Sequence, residues 1–125
     1  MKIKKVRVGI KDLKTALNEF VEIGKAVQEG RSVKKEKGVY FTSVEAFRKA
    51  ITPKRLALLK AIKTEKPSSV RQLSKIAKRD IKNVSTDIKF LEQVGLVDIK
   101  RNDETKKEIT PSVSYDKILF EIAVS

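Results

Sequence analysis

Short polar and basic side chains recur at helical spacing between residues 81 and 95, and their types suit hydrogen bonding to the edges of DNA bases. Lysine donates to guanine O6 and N7, asparagine pairs with adenine N6 and N7, and serine or threonine can bond to either base. The candidates for base reading are Lys82, Asn83, Ser85, Thr86 and Lys89. A solvated charged face on a pair of amphipathic helices is the alternative explanation of this spacing.

Two short helices must position these side chains. Ser69 followed by Gln72 predicts a capping box at the start of the first helix, and Asp80 is a natural N-cap for the second. The apolar residues of the second helix fall on one stripe, formed by Ile81, Val84, Ile88, Leu91 and Val94. Two helices joined by a short turn are typical of a helix-turn-helix, whose second helix enters the major groove.

Positive charge is concentrated in the same region. From Lys60 to Lys89 there are nine cations against three acids, which leaves +6 of the net charge of +13 on the chain. Such an excess predicts attraction to a polyanion, and the lack of Trp and of interleaved aromatic residues favours duplex DNA over single strands. The side chains expected to contact the DNA backbone are Ser69, Arg71, Lys75, Lys78 and Arg79.

A β-hairpin is predicted directly after the second helix. Gly95 suits a left-handed C-cap, residues 96–100 and 108–110 suit two strands, and Pro111 is expected to close the hairpin. A helix-turn-helix followed by a hairpin is a winged helix. The wing cations Arg101, Lys106 and Lys107 are expected to contact phosphate or the minor groove. An exposed turn that carries charge for solubility is the alternative.

The remaining sequence predicts further elements on both sides of this region. Asp12 should cap a helix over residues 13–28 after a strand in residues 2–10, and the glycine-bounded segment 30–38 is a candidate boundary. Thr42 with Glu45 suggests a capping box, and Thr52 should cap a helix that begins at Pro53. Residues 115–124 suit either a strand or a helix. We therefore expect an N-terminal extension, 1–38, and a winged-helix domain, 39–125.

Composition excludes several functional classes. The 125-residue chain has no Cys and no His, so thiolate chemistry and the usual zinc ligand and general base are missing. A nuclease built on Asp98 and Lys100 is disfavoured because no second acidic cluster lies nearby in the sequence. We expect no catalytic residues, metal or cofactor. No apolar run is long enough for a membrane span or a signal peptide, which predicts a cytoplasmic, nucleoid-associated protein.

Three runs carry a family resemblance: FTSVEAFRKAITPKRLALLKAI, SVRQLSKIAKRDIKNVSTDIKFLEQVGLV and SYDKILFEI. Through them, residues 39–124 resemble prokaryotic winged helix-turn-helix regulators, a broad group that includes the MarR and ArsR types. The resemblance implies an α+β, mainly α fold with an N-terminal strand-helix extension, and sequence-selective DNA binding by the helix from Ile81. It also implies backbone contacts from the preceding helix and the wing, and a homodimer. It supplies no effector, and metal sensing through Cys and His does not transfer to this chain.

The leading hypothesis is a transcriptional regulator that binds duplex DNA as a homodimer. Residues 1–38 would then serve dimerisation, although their basic strand and apolar helix stripe would also suit an acidic protein partner, as in an antitoxin-like pairing. A non-specific chromatin protein is the third possibility, because +13 suffices for salt-sensitive binding without base reading.

Overall fold

The computed structural model describes residues 3–31, 38–101 and 108–124. In chain order its elements are β1 (Lys5–Ile10), α1 (Leu13–Gln28), β2 (Gly38–Phe41), α2 (Val44–Ala50), α3 (Pro53–Glu65), α4 (Val70–Ala77), α5 (Ile81–Val94), β3 (Asp98–Arg101), β4 (Ile109–Ser112) and β5 (Lys117–Glu121). Contacts divide them into two units. The helical unit contains Ile51–Asp116 and the residues before Lys5, and the sheet unit contains Lys5–Ala50 and the residues from Lys117 onward.

Local hydrogen bonds set where the helices of the helical unit begin. The side chains of Thr52, Ser69 and Asp80 each accept a backbone N–H from the first turn of α3, α4 and α5, at 3.2, 3.1 and 2.7 Å. Gln72 also reaches back, but it accepts the N–H of Ser68, one residue before the N-cap that a capping box would use, at 2.6 Å. The predicted N-caps are confirmed, and so is the left-handed C-cap at Gly95, where φ is 93°.

The core of the helical unit is formed by the inner faces of its three helices and the residues that follow α5. Fully buried side chains come from each of them: Leu58, Ile62, Leu73, Val84, Ile88, Leu91 and Leu96. Leu96 and Val97, predicted as the first residues of a strand, precede β3 and are buried in this core. The stripe predicted on α5 is therefore confirmed at its three central positions.

The predicted hairpin after α5 is present, but its second strand extends further than the sequence predicts. β3 and β4 pair antiparallel, and Ile99 lies opposite Pro111. The sequence predicts that Pro111 closes the hairpin, but it lies inside β4 and is buried. A proline fits there because each strand of a two-stranded sheet has one edge that needs no N–H donor. The turn at 102–107, with Lys106 and Lys107, lies outside the described residues.

The sheet unit contains three parallel strands in the order β2-β1-β5. Lys5 is in register with Lys117, so the C-terminal segment, which the sequence left open between strand and helix, is a strand. The sheet unit also includes β2 and α2, which the predicted boundary at residue 38 assigns to the winged-helix domain. The roles of the two predicted segments stay predictions.

Aromatic side chains hold α2 on one face of this sheet. Phe47 of α2 stacks on Phe120 of β5, with ring centroids 4.1 Å apart, and meets Phe41 of β2 edge-on at 5.7 Å. The predicted capping box at Thr42 is wrong by one residue, because Ser43 Oγ accepts the Ala46 N–H at 3.0 Å. One position makes the difference because serine and threonine are both good N-caps.

Helix α1 begins as predicted and packs differently from the other helices. Asp12 accepts the Thr15 N–H at 2.7 Å, which confirms the N-cap. None of its residues is buried, although it carries a long apolar stripe. In the ranges that the structure describes, no helix is both long enough and apolar enough to cross a membrane.

Tyr115 anchors the segment that follows the hairpin. Its hydroxyl donates to the Leu96 carbonyl at 2.7 Å. Burial, and to a smaller extent the nearby Asp98 carboxylate, raise the pKa of Tyr115 to about 12. The neutral phenol is therefore the form that the folded helical unit favours.

We expect this tyrosine to make stability fall in strong alkali. The pKa of Tyr115 is about 10 in the unfolded chain and about 12 in the folded one. The stabilisation of the folded state by the neutral phenol is therefore complete below pH 10 and is lost as pH rises towards 12. The Tyr115→Phe variant should lose up to about 1 kcal/mol at pH 7 with the hydrogen bond. Its free energy of unfolding in urea should then fall less steeply above pH 10. Equal slopes for the two proteins would show that the phenol is not coupled to folding.

Candidate nucleic-acid interface

Helix α5 has a fully buried face and a polar exposed face. Val84, Ile88 and Leu91 are each 0% exposed. Among the predicted base-reading residues, Lys82, Asn83, Thr86 and Lys89 are exposed and Ser85 is half-buried. The core therefore fixes the orientation of α5 while five polar positions remain accessible. The structure brings the whole predicted group together along one helix.

One internal hydrogen bond defines the orientation of a side chain in this group. Thr86 Oγ1 donates to the Lys82 carbonyl one turn earlier, at 2.9 Å. The hydroxyl proton is used inside the helix, so the oxygen lone pairs and the methyl group are what Thr86 offers to a partner. A base amino group or a thymine methyl would match that surface.

Helix α4 and the turn after it supply a second set of exposed cations. Arg71 and Lys75 are exposed on α4, and Lys78 is exposed at its C-cap. Lys78 has a left-handed φ of 55°, and its N–H closes the last turn on the Lys75 carbonyl at 3.2 Å. None of these three cations forms an ion pair with a described residue. They remain available to an outside anion.

The other two predicted backbone-contact residues already have partners within the helical unit. Ser69 is 8% exposed, and its hydroxyl caps α4. Arg79 Nη2 donates to Asp87 Oδ2 at 2.9 Å. The structure places both residues next to the exposed cations, and their side chains serve the fold.

Asp87 is a residue of this region that the sequence alone does not single out. It lies on α5, and its other oxygen accepts from Arg55 Nε of α3 at 3.1 Å. The three side chains are 14–21% exposed, and the Arg55 guanidinium also lies 4.2 Å from the centre of the Phe90 ring. One carboxylate thus ties α3, the turn and α5 together. The sequence feature that could have pointed to Asp87 is the position of this carboxylate beside the apolar stripe of α5, between Val84 and Ile88.

The hairpin is tied to the start of α4. Thr110 Oγ1 in β4 donates to the Ser68 carbonyl at 2.7 Å. Arg101, predicted as a wing cation, is exposed at the end of β3. Lys106 and Lys107 lie in the segment that is not described. Within the described residues, no cluster of three or more acidic side chains could hold a metal ion.

Three helices, a tight turn between the second and third, and an adjoining antiparallel hairpin define the helical unit as a winged helix-turn-helix. The HVO_A0114 family model matches residues 50–120, which is more than half of the chain. The chain belongs to this family. The match covers α3, α4, α5 and the hairpin.

Two solved structures are similar to the chain. A MarR protein from Peptoclostridium difficile is 19% identical with a TM-score of 0.47, and the alignment covers 79% of this chain and 57% of that one. A second MarR structure is 16% identical with a TM-score of 0.48, with 82% and 65% covered. The chain spans less than two thirds of the length of either protein. A search of curated proteins gave no match.

Removing the Asp87 carboxylate should destabilise the helical unit strongly. In Asp87→Ala the Arg55 and Arg79 guanidinium groups lose their shared counter-ion, and breaking a buried pair in this way costs about 3 kcal/mol. The matched control is Glu92→Ala, which removes an exposed carboxylate from the same helix and should change stability by no more than about 0.5 kcal/mol. Urea unfolding measures both. Similar small losses in the two variants would show that the Asp87 contacts do not hold the helices.

Proposed function

We propose that this chain is a transcriptional regulator that binds duplex DNA sequence-selectively as a homodimer, with α5 in the major groove. The observation that carries the proposal is the division of α5 into a buried apolar face and an exposed face of lysine, asparagine, serine and threonine. These are the side-chain types that bond to base edges. A helix that served only the fold would not need them on one accessible surface.

The dimensions of α5 suit the groove. It has 14 residues, so it is about 21 Å long at 1.5 Å per residue. The major groove of B-DNA is about 12 Å wide and admits one α-helix. Asn83 and Thr86 lie in the first half of α5, near the N-terminal end that recognition helices direct at the bases. We therefore assign base reading to Lys82, Asn83, Ser85, Thr86 and Lys89.

Phosphate contacts would come from the cations beside α5. Arg71, Lys75 and Lys78 are exposed and unpaired among the described residues, so no internal ion pair must break before they bind phosphate. In this proposal Ser69 supports them by capping α4, and Arg79 supports them by fixing the turn. Such contacts determine register and affinity but carry no sequence information.

The hairpin supplies the remaining contacts in the proposal. The hydrogen bond from Thr110 to the Ser68 carbonyl holds β4 beside the start of α4, the helix that carries Arg71 and Lys75. We assign phosphate or minor-groove contacts to Arg101, and the same role is proposed for Lys106 and Lys107. A homodimer would present two α5 helices to two half-sites of a two-fold symmetric operator. The protein would act in the cytoplasm, at the nucleoid.

Substitutions on α5 and at the C-cap of α4 should affect DNA binding in different ways. Asn83→Ala should change the preference at one base position by roughly 1–3 kcal/mol, because one base edge loses its partner. Lys78→Ala should weaken binding to all duplexes alike and reduce the salt slope by about 1. Alanine also has a side chain, so the left-handed backbone at residue 78 stays equally strained. The measurement is binding of each variant to one set of duplexes that differ by single base pairs.

The same measurement contains the result that would refute the proposal. If Asn83→Ala and Thr86→Ala weaken every duplex equally, α5 does not read bases. Uniform binding by the unsubstituted protein, lost steeply as salt rises, would favour the non-specific chromatin protein, since its charge of +13 alone predicts that behaviour.

A further inference from the structure

Helix α1 exposes more apolar surface than a helix that connects two parallel strands normally does. It joins β1 to β2, and in such a crossover the apolar face of the helix usually packs on the sheet. Here every residue of α1 is exposed except Ala26, which is half-buried. Phe20 is 75% exposed and Leu13 67%. The helix would gain stability from a partner that covers this face.

A cleft lies between α1 and strand β2 of its own sheet. Its volume is about 840 Å³, and it is bounded by Ala16, Phe20 and Ile23 on the helix and by Tyr40 on β2. Lys11 bridges one end of it, with its Nζ 2.6 Å from the Glu19 carboxylate and 3.9 Å from the centre of the Tyr40 ring. Apolar side chains from outside therefore have room to enter beside the stripe.

The spacing of the stripe matches a helix as its partner. Its central positions are Leu13, Leu17, Phe20, Gly24 and Val27, which alternate steps of four and three residues. This is the spacing by which two α-helices pack along a shared seam. A side chain at Gly24 would meet nothing within 4 Å, so the stripe also has room for a neighbouring knob there.

The size and symmetry of the stripe point to a second copy of the same chain. The six exposed side chains of the stripe (Leu13, Leu17, Phe20, Val21, Ile23 and Val27) present roughly 600 Å² of apolar surface, against about 800 Å² per partner in a standard-size interface. Phe20 lies midway between Leu13 and Val27. A two-fold axis through Phe20 would therefore match the stripe with itself, as an isologous dimer requires.

We propose that two copies of this chain associate through α1, with the two apolar stripes packed along each other and the Phe20 side chains in contact at the two-fold axis. The proposal rests on the proposed function in one respect, since it names the surface that forms the regulator's homodimer. The sheet unit would thus serve assembly while the helical unit binds DNA.

The first test measures mass in solution without DNA. The unsubstituted chain should have twice its monomer mass of 14.1 kDa at about 10 µM, and Leu17→Asp should lower the fraction of dimer at least tenfold, because its charge would be buried in the seam. Val44→Asp is the matched control. Val44 is a 45% exposed apolar residue of the sheet unit that lies outside α1, and this variant should remain dimeric. A monomeric unsubstituted chain, or a fully dimeric Leu17→Asp, would overturn the proposal.

The second test reads the position of the axis. The chain has no cysteine, so Phe20→Cys introduces one thiol per copy, and oxidation can join only two chains. Phe20→Cys should give a covalent dimer under mild oxidation, whether the helices run parallel or antiparallel. Val44→Cys should stay monomeric on a non-reducing gel. Equal cross-linking of both variants, or none at position 20, would contradict pairing at Phe20.

These outcomes separate the docking proposal from the proposed function. A chain that selects a DNA sequence but does not dimerise through α1 would refute the docking proposal and leave base reading by α5 intact. A dimer that depends on α1 but selects no sequence would refute the proposed function and leave the docking proposal standing. Capture of another protein by α1, with no self-association, would support the partner-binding role of residues 1–38 and overturn the dimer.

Discussion

The shared contact of one carboxylate with two guanidinium groups controls the geometry of the helical unit. Asp87 joins Arg55 on α3 to Arg79 in the turn before α5, so one carboxylate links the three segments. Buried ion pairs of this kind add little net stability, because desolvation offsets most of their attraction. Their value is directional, since the hydrogen bonds fix angles that apolar packing alone would leave adjustable. The direction of α5 is what a groove-binding helix must hold constant.

Apolar packing supplies the stability that this ion-pair network does not. Val84, Ile88 and Leu91 are completely buried, and together they anchor α5 through about two turns. Because this stripe is narrow, the opposite side of the helix stays exposed and can carry polar side chains at little energetic cost. The fold and the proposed function therefore use opposite faces of the same helix and do not compete for residues.

The sequence predicted well those features that depend on local hydrogen bonds. The N-caps at Asp12, Ser69 and Asp80 were predicted correctly, because a cap is decided by residues within three positions of each other. The Ser43 cap was missed only because Thr42 is an equally good capping residue. The exposed face of α5 followed from helical periodicity alone. The assignment of its residues to bases stays a prediction.

Features that depend on distant residues were missed. Nothing near Lys117 indicates that this strand pairs in parallel with β1, more than a hundred positions earlier, so the sheet and the division into units could not be read from the sequence. Asp87 was also missed, since its partner Arg55 is 32 positions away. The exposure of α1 was not predicted either. An amphipathic stripe predicts that one face of a helix is buried, but it does not show which surface covers that face.

Selection from a pool of random duplex DNA at about 150 mM salt, followed by sequencing of the bound fraction, tests sequence-selective binding most directly, because non-specific phosphate contacts are weakened at that salt. We expect enrichment of one short sequence in two copies related by two-fold symmetry, with half-sites about one helical turn apart. Binding that enriches no sequence and disappears as salt rises would contradict it.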